Sequence, residues 1–277
     1  MDLLMALKAL LLGAIEGLTE FLPISSTGHL IVVEDLVRFR PGSREAFIVS
    51  IQAGAIGAVI WEYRVRLAHM LRGLFTDGAD RRLAINVAIA FLPAAIVGVL
   101  AKNAIDTLLF RPLPVALALV AGGLIILWVE RAHARRDWRP RVETIDDVTP
   151  LDALKIGCAQ CFSLIPGTSR SGATIIGGLI FGFSRTAATQ FSFFLAMPTV
   201  IGAAVYSLYK ARDQIDGSDL PLFALGFAAA FAAALACVRW LLHYISKHDF
   251  RLFAWYRIGF GGVILATAYL GWVRWGD

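Results

Sequence analysis

A chain of 277 residues that is 58% hydrophobic and only 17% charged carries more apolar surface than a soluble domain, with about 45–50% apolar and about 25% charged residues, would hide from water. Its net charge of +5 is not laid out as the basic stripe that a nucleic-acid surface needs, because the arginines fall between long apolar runs. Length and patterning therefore exclude a string of soluble domains and a nucleic-acid partner. They leave one integral membrane domain, residues 1–277, whose surplus apolar surface faces the lipid bilayer.

Residues 3–33 form the first feature, an apolar stretch broken by Pro23-Ile-Ser-Ser-Thr-Gly28-His29. Asp2 and Lys8 at its start, and Glu16 at the end of its apolar run, do not follow the order of a cleaved signal peptide, so the stretch is expected in the mature protein. Spans are expected next at residues 46–61, 83–101 and 113–129, since a membrane-crossing helix needs about 20 mostly apolar residues. An arginine-rich connector, residues 131–150, leads to a second broken stretch, residues 151–183, interrupted by Pro166-Gly-Thr-Ser-Arg-Ser-Gly172. Three further spans are expected at residues 187–208, 220–242 and 253–273. Proline removes a helix donor and glycine loosens the backbone. Irregular backbone at membrane depth survives only where protein buries it or where it lines a wet cavity. Both broken stretches are thus expected to be re-entrant helix–loop–helix hairpins, giving an all-α fold of six transmembrane helices plus two hairpins.

The loops suggest an orientation. Arg64, Arg66, Arg72, Arg81 and Arg82 lie between the first two spans, Arg131, Arg135, Arg136, Arg139 and Arg141 after the third, and Lys247 and Arg251 between the last two. The alternate loops hold Lys102, Asp106 and Arg111, or Lys210 and Arg212 against Asp213, Asp216 and Asp219. The positive-inside rule puts the first set in the cytoplasm. The first hairpin then dips from outside, the second from inside, and both termini are extracytoplasmic. Trp128, Trp138, Trp240, Trp255, Trp272 and Trp275 sit near span ends, as an interfacial belt requires.

The halves also repeat. Glu16 pairs with Gln160, Gly28 with Gly172 and Phe47 with Phe191, each 144 residues apart. Ser43-Arg-Glu-Ala46 recurs as Ser184-Arg-Thr-Ala187, and Gly122-Gly123 as Gly261-Gly262. Halves of three spans each, residues 1–130 and 151–277, must have opposite topology. An inverted-topology repeat puts its joint site near the midplane, where the broken helices meet.

The chemistry-bearing residues lie in the breaks. Glu16 and Glu20 share one helix face, and carboxylates at membrane depth mark function by default. A divalent cation site, a proton relay and a pair satisfied at an aqueous boundary are the alternatives for them. Ser25, Ser26, Thr27 and His29 offer a hydroxyl nucleophile beside an imidazole, or a histidine that attacks phosphorus itself. Helix capping explains one hydroxyl without either. Thr168, Ser169, Arg170 and Ser171 open a helix with free N–H groups and a guanidinium that matches phosphate oxygens. A buried ion-pair partner for Glu16 or Glu20 is the structural alternative for Arg170. Together these residues fit phosphoryl transfer, in which positioning and charge stabilisation dominate, on a lipid substrate. Gln52 and Gln190 are polar on apolar spans, where contact with a cavity and helix–helix hydrogen bonding are the alternatives, the second favoured. His69, His133, His243 and His248 fall in expected loops. Cys158, Cys161 and Cys237 read as inert, because no second ligand pair accompanies the C-x-x-C spacing.

Glu16-Gly-Leu-Thr-Glu20-Phe-Leu-Pro-Ile-Ser-Ser-Thr-Gly-His29 and Pro166-Gly-Thr-Ser-Arg-Ser-Gly172 resemble the two signatures of the undecaprenyl-pyrophosphate phosphatases of the bacitracin-resistance type, and Phe191-Ser-Phe-Phe-Leu-Ala-Met-Pro198 resembles a further stretch of that family. The resemblance covers nearly the whole chain. It departs at Gln52-Ala-Gly54 and in the arginine-rich residues 131–141, away from the chemistry. It implies hydrolysis of a polyprenyl pyrophosphate to the monophosphate, recycling the carrier lipid for cell-wall synthesis, with Mg²⁺ or Ca²⁺ as cofactor. It also implies a bacterial inner-membrane location with the site open to the periplasmic side. By position, Glu16 and Glu20 would be metal-binding or acid–base groups, Ser26 the nucleophile with His29 as its partner or rival, and Arg170 the pyrophosphate holder, helped by Ser169 and Thr168. A homodimer is compatible with it. Two other readings stand beside this one. Broken helices in an inverted repeat also suit a transporter or lipid flippase. Ser26-Thr-Gly-His29 echoes a motif of the phosphatidic acid phosphatase superfamily, but no suitably placed histidine follows Arg170.

Overall fold

The computed structural model describes residues 2–75, 78–109, 111–135, 138–211 and 219–272. Expectations for Arg136, Arg212, Asp213, Asp216, Val273 and Trp275 fall outside those residues, as do those for the side chains of Lys102, Asp106 and Lys210. Among the described residues the chain is all-helical: α1 (Leu3–Thr19), α2 (Ser26–Leu36), α3 (Arg44–Glu62), α4 (Arg64–Gly73), α5 (Ala79–Leu108), α6 (Pro112–His133), α7 (Pro150–Cys161), α8 (Arg170–Ile180), α9 (Arg185–Ala211), α10 (Leu220–Ile245) and α11 (Arg251–Tyr269). Six of them, α3, α5, α6, α9, α10 and α11, are long and apolar enough to cross a membrane. They coincide with the six expected spans. Helix α4 was not expected, and its residues include His69. His133 and His243 lie in the last turns of α6 and α10 rather than in loops, because both helices run past their apolar stretch.

Each broken stretch is a pair of helices. Asp2 caps α1, and its ladder stops before Pro23, which has no N–H to give. Thr149 and Asp152 form a capping box that starts α7, with Pro150 in its first turn. The second helix of each pair starts in one common way. Ser25 and Ser169 both take φ 71°, and each hydroxyl accepts the N–H of the glycine three residues on, Gly28 or Gly172. Capping thus accounts for these two hydroxyls.

The open ends of each pair lie together. Lys8 on α1 donates to the carbonyl of Arg38, just past α2. Arg141, ahead of α7, pairs with Asp152 of α7 and donates to the Phe181 carbonyl that ends α8. Helix α3 separates these two closures. It starts beside the first, where Gly42 abuts Asp219 ahead of α10. At its far end α4 follows, and Arg66 pairs there with Asp80 and with Asp146 of the connector.

Packing crosses between the halves. Helix α1 runs along α10 and α7 along α5. Gly13 and Gly17 face the backbone carbonyls of Gly226 and Ala230, and Gly157 faces that of Ala90, so closely that no Cβ would fit. Small residues give helices in lipid this close approach. Phe21, Phe191, Phe193 and Phe194 fill the core between the hairpins and spans. Leu92, Val99 and Leu100 on α5 and Leu117, Leu124 and Trp128 on α6 point outward and are exposed, as lipid-facing positions should be. Trp240, Trp255 and Trp272 are likewise exposed, whereas Trp138 stacks on His133.

Candidate active site between the hairpin tips

The two loops meet. The Ser171 hydroxyl of the second hairpin donates to the Leu22 carbonyl of the first at 2.8 Å. A guanidinium from a third element ties them further. Arg257 of α11 is 1% exposed. Its Nη1 donates to the carbonyls of Pro23 and Thr168, at 3.0 and 2.9 Å. Its Nη2 donates to those of Gly167 and Ala118, both at 3.1 Å, and Nε to that of Leu119 at 3.2 Å. All five N–H groups of an arginine are thereby used.

With the tips fixed, residues from both converge on Glu20. Ser26 Oγ donates to Glu20 Oε2 at 2.6 Å. Arg170 Nη2 donates to Glu20 Oε1 at 2.8 Å, while its Nη1 donates to the Ser192 carbonyl at 3.1 Å. Both side chains of this ion pair are largely buried, 11% exposed for Arg170 and 13% for Glu20. Ser26 and Arg170 also occupy the same structural place. Each is the first helical residue after a positive-φ serine, so one local backbone device presents a hydroxyl in one hairpin and a cation in the other.

The tips border a cavity of about 270 Å³. Glu20, Ser25, Ser26 and Thr27 wall it from the first hairpin, and Ser163, Gly167, Ser169 and Arg170 from the second. Gln52 of α3 and Thr199, Val200 and Ala203 of α9 complete it. Gln52 therefore faces the cavity, the less favoured of the two roles the sequence left open for it. A pocket with hydroxyls, a carboxylate and a guanidinium on apolar walls suits a phosphate group carried on a lipid tail.

Other expected site residues lie off this wall. Glu16 is fully buried one turn before Glu20, whose N–H bonds to its carbonyl, and both Glu16 carboxylate oxygens lack a hydrogen-bond partner. Ser171 is spent on the Leu22 carbonyl, and Thr168 offers its own carbonyl to Arg257. His29 does not bond to Ser26. Its Nδ1 lies 2.8 Å from the Ser25 carbonyl and its Nε2 2.6 Å from the Tyr256 hydroxyl. Sequence reasoning missed Arg257 and Tyr256. An arginine inside an apolar 19-residue helix was the available signal, since charge at that depth marks function by default.

The chain matches the family described as "Bacitracin resistance protein BacA" over residues 9–263. It is 57% identical over 277 residues to an undecaprenyl-diphosphatase of Janthinobacterium sp. (strain Marseille), with 100% of each chain covered. It is 58% identical over 275 residues to the undecaprenyl-diphosphatase of Nitrosomonas europaea, with 99% of each covered. It is 56% identical over 275 residues to undecaprenyl-diphosphatase 2 of Pseudomonas fluorescens (strain Pf0-1), with 99% of this chain and 98% of the other covered.

Proposed function

The chain belongs to the bacitracin resistance protein BacA family, and from that premise and the site geometry we propose how it acts. It is a multi-pass membrane hydrolase that converts undecaprenyl pyrophosphate to undecaprenyl phosphate and inorganic phosphate, recycling the carrier lipid for cell-wall synthesis. One observation carries the catalytic reading: a single carboxylate, Glu20, accepts a hydroxyl from its own hairpin and a guanidinium from the other.

Ser26 is the nucleophile and Glu20 its general base, already within proton-transfer distance. Arg170 takes the terminal phosphoryl oxygens. As it turns toward them it releases Glu20, so the base gains strength when substrate arrives. Ser26 Oγ forms a bond to the terminal phosphorus, the bridging P–O bond breaks, undecaprenyl phosphate leaves, and Glu20 holds the serine proton. Water then attacks the phosphoserine phosphorus, the P–O bond to Ser26 breaks as Glu20 returns the proton to Ser26 Oγ, and inorganic phosphate leaves. Ser25, Thr27, Ser169 and Gln52 border the pyrophosphate, while Thr168 and Ser171 hold the tips.

The residues present fit a divalent cation, Mg²⁺ or Ca²⁺. Mg²⁺ is commonly bound by one or two carboxylates plus substrate phosphates. Glu20 faces the cavity, and both oxygens of Glu16, one turn behind, are unpartnered. Among the described residues no cluster of three or more His, Cys, Asp or Glu is suited to a metal, so pyrophosphate oxygens would complete the coordination shell. When bound, the cation would neutralise charge on the transferring group.

We further read the two helix pairs as re-entrant hairpins that dip from opposite membrane faces, in an inverted repeat of residues 1–130 and 151–277 joined by a cytoplasmic connector, residues 131–150. The closures at Lys8–Arg38 and Arg141–Asp152, at opposite ends of α3, support this. So does the exchange of α1 onto α10 and of α7 onto α5. The α9 residues on the cavity wall, Thr199 to Ala203, lie toward the end of α9 away from the arginine-rich loops. That supports a site open to the periplasmic side of the bacterial inner membrane.

Phosphate release from undecaprenyl pyrophosphate by purified protein tests the reading. Ser26→Ala should lower turnover by about 10³-fold or more, and wild-type enzyme quenched in turnover should carry phosphate on Ser26. Chelation should stop the reaction, and Mg²⁺ or Ca²⁺ should restore it. Full turnover by Ser26→Ala removes the nucleophile assignment, and full turnover in chelator removes the cation. A protein that moves lipid without releasing phosphate would be a carrier.

A further inference from the structure

Next to Arg257 on α11 stands Tyr256, whose hydroxyl meets His29 Nε2 at 2.6 Å. The other ring nitrogen faces the Ser25 carbonyl, which can only accept, so Nδ1 carries the proton and the Nε2 of the neutral ring accepts from the tyrosine. Phe260 stacks on the imidazole with centroids 4.0 Å apart, and His29 is 8% exposed. Both nitrogens are therefore engaged, and neither engages Ser26.

The second hairpin shows what this arrangement replaces. There the Ser169 carbonyl accepts the backbone N–H of Ala173 at 2.9 Å. In the first hairpin the matching backbone bond, from His29 N–H to the Ser25 carbonyl, stretches to 3.4 Å, and the ring supplies the shorter bond of 2.8 Å. Ser25 holds φ 71°, a backbone region unfavourable for a residue with a Cβ. It immediately precedes Ser26, so its carbonyl orientation sets where the Ser26 hydroxyl points.

We propose that Tyr256 and His29 are a positioning pair: Tyr256 fixes the His29 tautomer and ring plane, His29 Nδ1–H anchors the Ser25 carbonyl, and the Ser26 hydroxyl is thereby aimed at Glu20. This assignment rests on Ser26 as the nucleophile, and it gives His29 no proton to transfer.

The side-chain amide of asparagine can donate from near the Nδ1 position but cannot act as a base or nucleophile at Nε2. Rescue by His29→Asn therefore separates positioning from chemistry. With purified protein and undecaprenyl pyrophosphate, His29→Ala should lower kcat by about 10²-fold with KM little changed, as small misplacements of reacting groups do. His29→Asn should recover to within about tenfold of wild type, and Tyr256→Phe should lose about 3- to 10-fold, the worth of one neutral hydrogen bond. His29→Asn as inactive as His29→Ala, at an unchanged thermal midpoint, would overturn the proposal in favour of proton transfer or attack by His29. Near-wild-type activity of both Tyr256→Phe and His29→Ala would overturn it too. Failure of the underlying nucleophile assignment would instead appear as full turnover by Ser26→Ala. Should His29→Ala not fold, Tyr256→Phe and His29→Asn still decide.

Discussion

Arg170→Ala is expected to lower kcat/KM for phosphate release by about 10³- to 10⁴-fold and, by stranding the buried Glu20 carboxylate, to lower the thermal midpoint as well. Removing one partner of a buried charge pair costs about 3–5 kcal/mol, because the other charge is left uncompensated. Here that charge is Glu20, which would then face an incoming pyrophosphate with nothing to offset their repulsion. The transition state also loses its planar two-point donor. Losing one preorganised donor to the transition state costs about 10²- to 10³-fold, and the unopposed charge of Glu20 accounts for the rest. Arg170→Lys should recover only part, because an ammonium cannot bridge the Ser192 carbonyl and the phosphoryl oxygens with the geometry of a fork. Adding Glu20→Gln to Arg170→Ala should cost much less than Glu20→Gln does alone, since the two act as a unit. An Arg170→Ala enzyme within tenfold of wild type would remove Arg170 from the site.

The sequence made the frame of this site visible for a physical reason. Proline, glycine and clustered hydroxyls in the middle of apolar stretches announce broken helices, and no other feature in lipid explains them. The 144-residue spacing pointed to repeated halves, and Ser25 and Ser169, which are also 144 residues apart, share a matching φ. Pairing Ser26 with Glu20 was less legible. A hydroxyl followed by a histidine three residues on suggests a serine–imidazole pair, but the helix turns His29 toward α11, 227 residues away in sequence at Tyr256. Contacts of that range leave no local pattern. Arg257 escaped notice for a different reason. Five backbone carbonyls hold it, and carbonyls are present at every residue, so the sequence shows no partner for it. The role of Gln52 stayed open between two readings because a polar residue on an apolar helix serves a neighbouring helix and a cavity equally well.

Arg257 also separates frame from chemistry, and it carries the second large expectation. Arg257→Lys should lower the thermal midpoint by roughly 5–20 °C and abolish most activity. Lysine has three donors for five carbonyls. At least two buried acceptors would be orphaned, at about 1–3 kcal/mol each, and each kcal/mol moves the midpoint by about 2–4 °C in a chain of this size. The loss would fall on the Pro23, Gly167, Thr168, Ala118 and Leu119 carbonyls, and so on both tips and on α6 at once. Gly122 reinforces the dependence, since a Cβ there would lie 2.2 Å from Arg257 Nη2. Gly122→Ala should therefore weaken the protein in the same direction without touching any charge. In the proposed mechanism Arg170 acts on the substrate, so its lysine variant should stay folded and turn over slowly. Arg257 acts on the backbone that presents Glu20, Ser26 and Arg170, so its lysine variant should lose stability and turnover together. Thermal midpoint and phosphate release measured side by side on both lysine variants decide this, and an Arg257→Lys protein with an unshifted midpoint would show that the tips hold their positions without it.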